Sequence, residues 1–172
     1  MKLHYILVVF AWVAALGSIR AAGPSVVLYQ PNNVLTMRLG DDVGVFAKYI
    51  KALEAAAEPF LGKDRAELLD VFVVIKPGTV GPVQRSRVWF VSSLSPQPPT
   101  ADLKKALEEV PPPEVTDGPV VFAICYALNG AQPRDTKSEA GKPPLPGEWR
   151  EFLPKSDEPV PLSDTLLKNV WP

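Results

Sequence analysis

The stretch PVVFAICYAL, residues 119–128, decides how the rest of the chain is read. It is an unbroken apolar run, rich in β-branched and aromatic residues. Turn residues bound it, Asp117-Gly118 before and Asn129-Gly130 after. It predicts the central strand of a sheet. Period two sorts its side chains onto two apolar faces. Val121, Ala123, Cys125 and Ala127 make a small face. Val120, Phe122, Ile124, Tyr126 and Leu128 make a bulky one. The small face has room for a helix to lie close against it.

Cys125 is the only cysteine, so an intramolecular disulfide is impossible. Among small apolar neighbours a free cysteine behaves as a small hydrophobe of the core. A reactive thiol needs an electropositive, partly exposed setting. His4 is the only histidine, and it sits in an N-terminal segment that reads as a removable leader. Ser-His and Cys-His catalysis then lack their base, and histidine-containing zinc sites lack their ligands. No cofactor or metal is expected. Two adjacent carboxylate pairs, Asp41/Asp42 and Glu108/Glu109, are the remaining candidates for glycosidase-type chemistry. Both read more simply as helix residues, the first capping a helix and the second pointing in different directions.

Outward from residues 119–128 the pattern alternates between periods. SVVLYQ, 25–30, predicts a short strand ended by Pro31-Asn32-Asn33, and VLTMRL, 34–39, a second, partly exposed strand. Val43, Phe46, Ile50, Leu53 and Ala57 recur at spacings of three and four. They predict an amphipathic helix over 42–57 that stops near Pro59. Residues 63–68 add a helical turn. The apolar run 71–75 predicts a doubly covered strand, joined through KPGTVGP to the strand RSRVWFVSS, 85–93. In that strand Arg85, Arg87 and Trp89 share one face, with Val88 and Phe90 on the other. Thr100 is an N-cap for the helix ADLKKALEEV, which Pro111-Pro112-Pro113 stops.

The fold class expected is α+β. It is a mostly antiparallel sheet of four or five strands with two packed helices, over residues 24–130. Residues 131–172 form an irregular, proline-rich extension, either docked or partly disordered. From 129 to 172 there are eight prolines, and no long apolar periodicity, so this segment cannot fold alone. Trp149, Phe152, Leu166, Leu167 and Trp171 are spaced along it, and Ser163 predicts the cap of a short helix over 164–170. These residues either staple the segment across the domain or dock a partner.

The N-terminus has Lys2, an apolar run from Tyr5 to Leu16, then small residues before Ala22. That three-part pattern predicts a signal peptide over 1–21, with an uncleaved anchor as the alternative. The 12-residue run is shorter than a membrane-spanning helix requires. The expected location is periplasmic or secreted, without stable membrane insertion once the signal is removed. Cleavage removes Lys2 and Arg20 and no acid, so the formal charge moves from −1 to −3. That mild acidity, with no basic stripe, argues against a nucleic-acid partner.

The order across 71–128 is a strand, a glycine-bearing turn, a strand ending FVSS, the helix ADLKKALEEV, a proline turn and the closing strand GPVVFAICYAL. It resembles the C-terminal domain of the TonB energy-transducing family. KPGTVGP stands where that family has a tight Asp-Gly turn. The resemblance implies an α+β domain that binds a partner by pairing with an extended peptide.

The functional expectation is an exported, non-catalytic protein that binds another protein, such as an inhibitor or an immunity protein that neutralises an effector. A TonB-like accessory module and a carboxylate-dependent glycan hydrolase are the alternatives. Arg85, Arg87 and Trp89 on the strand, with Trp149, Phe152 and Trp171 in the extension, are the partner-binding candidates, because Arg and aromatic side chains dominate interface hot spots.

Overall fold

The computed structural model describes residues 24–40, 43–61, 66–78, 85–93, 100–136, 138, 141–153 and 162–172. The expected signal, residues 1–21, lies outside them, as do Asp41/Asp42 and the turn over 79–84. The described chain runs β1 (Ser25–Leu28), α1 (Asn32–Leu39), α2 (Val43–Ala57), β2 (Glu67–Ile75), β3 (Ser86–Ser92), α3 (Thr100–Glu108), β4 (Val120–Leu128) and α4 (Asp164–Val170). The four strands form one antiparallel sheet in the order β1-β4-β2-β3. The fold is α+β. β4 is an interior strand, paired over its whole length with β2 from Val120↔Ile75 to Leu128↔Glu67.

Both faces of the sheet are covered. On one face the bulky set of β4, Val120, Phe122, Ile124 and Tyr126, joins Leu69, Val71, Val73 and Ile75 of β2. α2 brings Phe46, Tyr49, Leu53 and Ala57 to it, and α3 brings Leu103 and Leu107. Their spacings of three and four are what put these residues on one helix side. The Phe46 and Phe122 rings meet edge to face at 5.1 Å.

The other face carries Val121, Ala123 and Cys125 of β4 with Phe72 and Val74 of β2. The long helix α2 does not pack here. The C-terminal segment does instead. Trp149, on a 3₁₀ turn over Gly147–Phe152, is fully buried among Phe72, Trp89 and the small residues of β4. Small side chains on the strand leave room for one indole. α4 adds Leu166 and Leu167, and the Ser163 hydroxyl accepts from the Leu166 N–H at 3.2 Å as its cap. The described parts of the extension therefore contribute Trp149, Leu162, Leu166 and Leu167 to a second core.

Two local expectations are corrected. Residues 34–39 belong to α1. Pro31 fixes the entry, its carbonyl accepts from the Val34 and Leu35 N–H groups, and Gly40 ends the helix at φ +70°. Leu35 and Arg38 point inward one turn apart, and six residues are too few for a period of two to exclude one of 3.6. Residues 67 and 68, expected in a helical turn, begin β2, where pairing to Leu128 and Ala127 of β4 outweighs local preference.

One polar knot ties the layers at the sheet end. Arg38 donates to the Pro119 carbonyl at 2.6 Å and pairs with Asp164 at 2.7 Å. Gln30 donates to the same carbonyl and accepts from the Val121 N–H. Thus α1, the start of β4 and the start of α4 share one buried guanidinium.

Candidate functional site

β3 is an edge strand, with β2 on one side only. The Lys76 N–H donates to the Arg85 carbonyl at 2.8 Å and the Ser93 N–H to the Leu68 carbonyl at 3.0 Å. Odd-numbered residues therefore bond to β2, and antiparallel alternation turns the main-chain groups of Ser86, Val88 and Phe90 outward. At Val88 both groups are taken, but by side chains. Its N–H donates to Glu108 Oε1 at 3.1 Å, and its carbonyl accepts from Lys104 Nζ at 2.6 Å. Lys104 and Glu108 lie one turn apart on α3 and pair with each other at 3.1 Å. Together they do what one residue of a neighbouring strand would do.

Two cavities flank that bridge. One, about 730 Å³, lies between Arg85, Ser86 and the end of α3. The other, about 550 Å³, lies between Arg87, Trp89, Phe90 and the 146–148 segment. Ala101 and Lys104 line both. The result is a trough along the open edge, partitioned by the Lys104 side chain.

Charge is uneven along the trough. Lys104 pairs with Glu108, and Lys105 with Glu109. Among the described residues Arg85 and Arg87 have no ion pair. The Lys76 ammonium is held below its ordinary range, first by burial and then by the charge of Arg87. Cations thus collect at the end of β2 and the start of β3.

Of the partner-binding candidates, the structure brings Arg85 and Arg87 to this edge as half-buried, cationic groups. Trp89 shares their strand face but is 5% exposed, so it forms the trough's inner wall and part of the core, not a free contact. The Arg87 guanidinium and the Lys104 ammonium both lie over its ring, at 5.3 and 5.6 Å. Trp149 is completely buried beside it, ring centres 5.2 Å apart, and presents no surface. Phe152 is exposed and Trp171 half-buried under the Lys76 ammonium, both away from the trough lining. Lys104 was missed as a site residue. Its i,i+4 spacing to Glu108 was visible, but not the strand edge the pair covers.

Cys125 lies in a different place. It faces Asp70 across the β2–β4 ladder. Asp70 is 1% exposed and paired with Arg134, which enters from the C-terminal segment. Burial raises the Asp70 carboxyl above its ordinary range even against that guanidinium. Burial first, and then the neighbouring carboxylate, push the Cys125 thiol up to about 12. A thiol so placed is not ionised at neutral pH and is no nucleophile. Glu108 is engaged at Val88, and Glu109 turns to Lys105. Among the described residues no cluster of three His, Cys, Asp or Glu groups could hold a metal ion, and no helix is long and apolar enough to cross a membrane. No family model, curated protein or solved structure matches the chain.

Proposed function

We propose that the protein acts outside the cytoplasm by binding another protein, without catalysing a reaction, and that the trough along β3 is its contact surface. One observation carries this. The outward main-chain groups of Val88 are satisfied by a mobile type of group, two long charged side chains, where a sheet interior would use a strand. The flanking cavities leave room beside them. Arg85 and Arg87 supply cations with no ion pair among the described residues, a residue type favoured at hot spots. A binder of this kind suits an inhibitor or immunity role against an exported effector.

The test is photo-cross-linking in extract, with a photoreactive phenylalanine placed at Phe90 in one sample and at Met37, exposed on α1, in another. The proposal expects one discrete adduct from position 90, lost on Arg87→Glu, and none from position 37. Adducts from both positions, or from 90 regardless of Arg87→Glu, would overturn it.

A further inference from the structure

We infer that Lys76 and Arg87 form a site for the phosphoryl group of a small soluble molecule, either inorganic phosphate or a phosphate monoester. The inference goes beyond the protein contact of the trough, with which it shares Arg87. Strand register builds the site. Val74 stands opposite Arg87 and Ile75 opposite Ser86, and the Lys76 N–H continues that ladder to the Arg85 carbonyl at 2.8 Å. Lys76 lies two residues on from Val74, so it projects to the face that Val74 and Arg87 share. It is the diagonal cross-strand neighbour of Arg87, a separation that long side chains span. Each cation is also held in place. The Lys76 ammonium lies 4.5 Å over the Trp171 ring, and the Arg87 guanidinium 5.3 Å over that of Trp89. Trp89 belongs to the second core and Trp171 packs against it, so both platforms are anchored.

The charge on this face is uncompensated. Neither Lys76 nor Arg87 has a carboxylate partner among the described residues. Like charges at neighbouring cross-strand positions work against a sheet. Lys76 registers that cost, since burial first and then the Arg87 charge hold its ammonium below the ordinary range. An anion between the two turns one repulsion into two attractions. The indoles take one side of each cation and leave its N–H donors for a ligand. A guanidinium offers a planar fork that matches phosphate oxygens in pairs, and an ammonium adds a compact point charge. A phosphate monoester carries about 1.5 to 2 negative charges and three acceptor oxygens, enough for both cations at once. A carboxylate, with one charge and two oxygens, satisfies one of them. The source is a small molecule and not a bilayer. Both cations are half-buried, and the chain as a whole has a formal charge of −1, which an anionic membrane surface repels.

The probes are inorganic phosphate and glycerol phosphate, titrated into the ¹⁵N-labelled full chain at low salt and followed by the indole and arginine side-chain N–H signals. Glycerate, with a carboxylate in place of the phosphate, is the control. The expected result is saturable shifts of the Trp171 indole and the Arg87 Nε–H, with glycerate weaker by about tenfold, the equivalent of one charge-assisted hydrogen bond. Lys76→Gln and Arg87→Gln, each checked for folding by circular dichroism, should weaken phosphate binding by about tenfold for the same reason. Tighter binding of glycerol phosphate than of inorganic phosphate assigns the site to an ester, and equal binding assigns it to the free ion. No saturation by about 10 mM of either probe, undiminished affinity in Lys76→Gln, or glycerate binding as tightly as the phosphates would each overturn the inference. So would vesicles containing phosphatidic acid that bind the chain when neither soluble probe does, because the ligand is then a membrane surface. Lys76 does not line the trough, so Lys76→Gln should leave the position-90 adduct in place. If neither phosphate binds while Arg87→Glu abolishes that adduct, the trough stands and the phosphate site falls. If phosphate binds and the adduct survives Arg87→Glu, the phosphate site stands and the trough falls.

Discussion

Trp149→Ala is the sharpest perturbation of the second core. The side chain is fully buried between Phe72 and Trp89, in edge-to-face contact with both at 5.6 and 5.2 Å. A large aromatic truncated in a core costs about 3–5 kcal/mol, transfer and cavity combined. Two aromatic contacts of about 0.5–1.5 kcal/mol each are included in that loss. No hydrogen bond is forfeited, since the indole N–H is buried without a partner among the described residues. The expected loss is therefore about 4 kcal/mol, and at a urea slope of about 2 kcal/mol/M the midpoint falls by about 2 M. Trp149→Phe keeps one ring in the slot and should lose about half as much. The assay is urea unfolding followed by far-UV circular dichroism, which does not depend on the removed indole. If the C-terminal segment is a loose arm, Trp149→Ala will cost under about 1 kcal/mol with an unchanged slope, and the two-core account fails.

Three further outcomes follow from particular contacts. Gly118→Ala should destabilise by about 2 kcal/mol or more, because φ there is +124° and a Cβ would meet the Arg38 guanidinium at 2.8 Å and the Asp164 carboxylate at 2.9 Å; thermal unfolding measures it, and a neutral result would remove the polar knot from the account. Cys125 in the native protein should react with a thiol reagent at neutral pH far more slowly than in urea, since burial and Asp70 hold its thiol near 12; rapid native labelling would contradict its core placement. Alkaline pH should unfold the protein early: burial raises Tyr49 from 10.0 to about 12 and raises Tyr126 as well. The folded state thus keeps protons that the unfolded state releases. Stability is whole below pH 10 and falls by about 1.4 kcal/mol per pH unit for each tyrosine above it, and a flat urea midpoint between pH 9 and 11 would refute the burial of both hydroxyls.

The sheet, α2, α3 and the Ser163 cap were legible because each rests on a local rule: period two at 120–128, spacings of three and four at 46–57, and a hydroxyl before a short apolar helix. α1 was not, since six residues fit both periods and Pro31 acts from outside them. The two faces of β4 were sorted correctly, but what covers each was not. Small side chains suit a close helix or one bulky indole equally, and only tertiary packing chose Trp149. The same packing took Trp149 out of the surface set, because an aromatic residue in a polar, proline-rich context reads as exposed until its slot is known, and it left Trp89 as an inner wall. Arg85 and Arg87 survived as candidates, since a strand's alternation fixes their shared face. Lys104 depended on which strand lies at the edge, and strand order is not written in any local pattern.

The most direct test of the account reads the main chain of β3. Amide hydrogen exchange and ¹⁵N shifts of the full chain should be recorded with and without the partner captured from position 90. The account predicts that the Ser86 and Phe90 amides shift and become protected, and that the Val88 amide shifts as Glu108 leaves it. Protection centred instead on Val26 and Leu28, at the opposite edge of the sheet, or on the exposed Phe152 face, would contradict it.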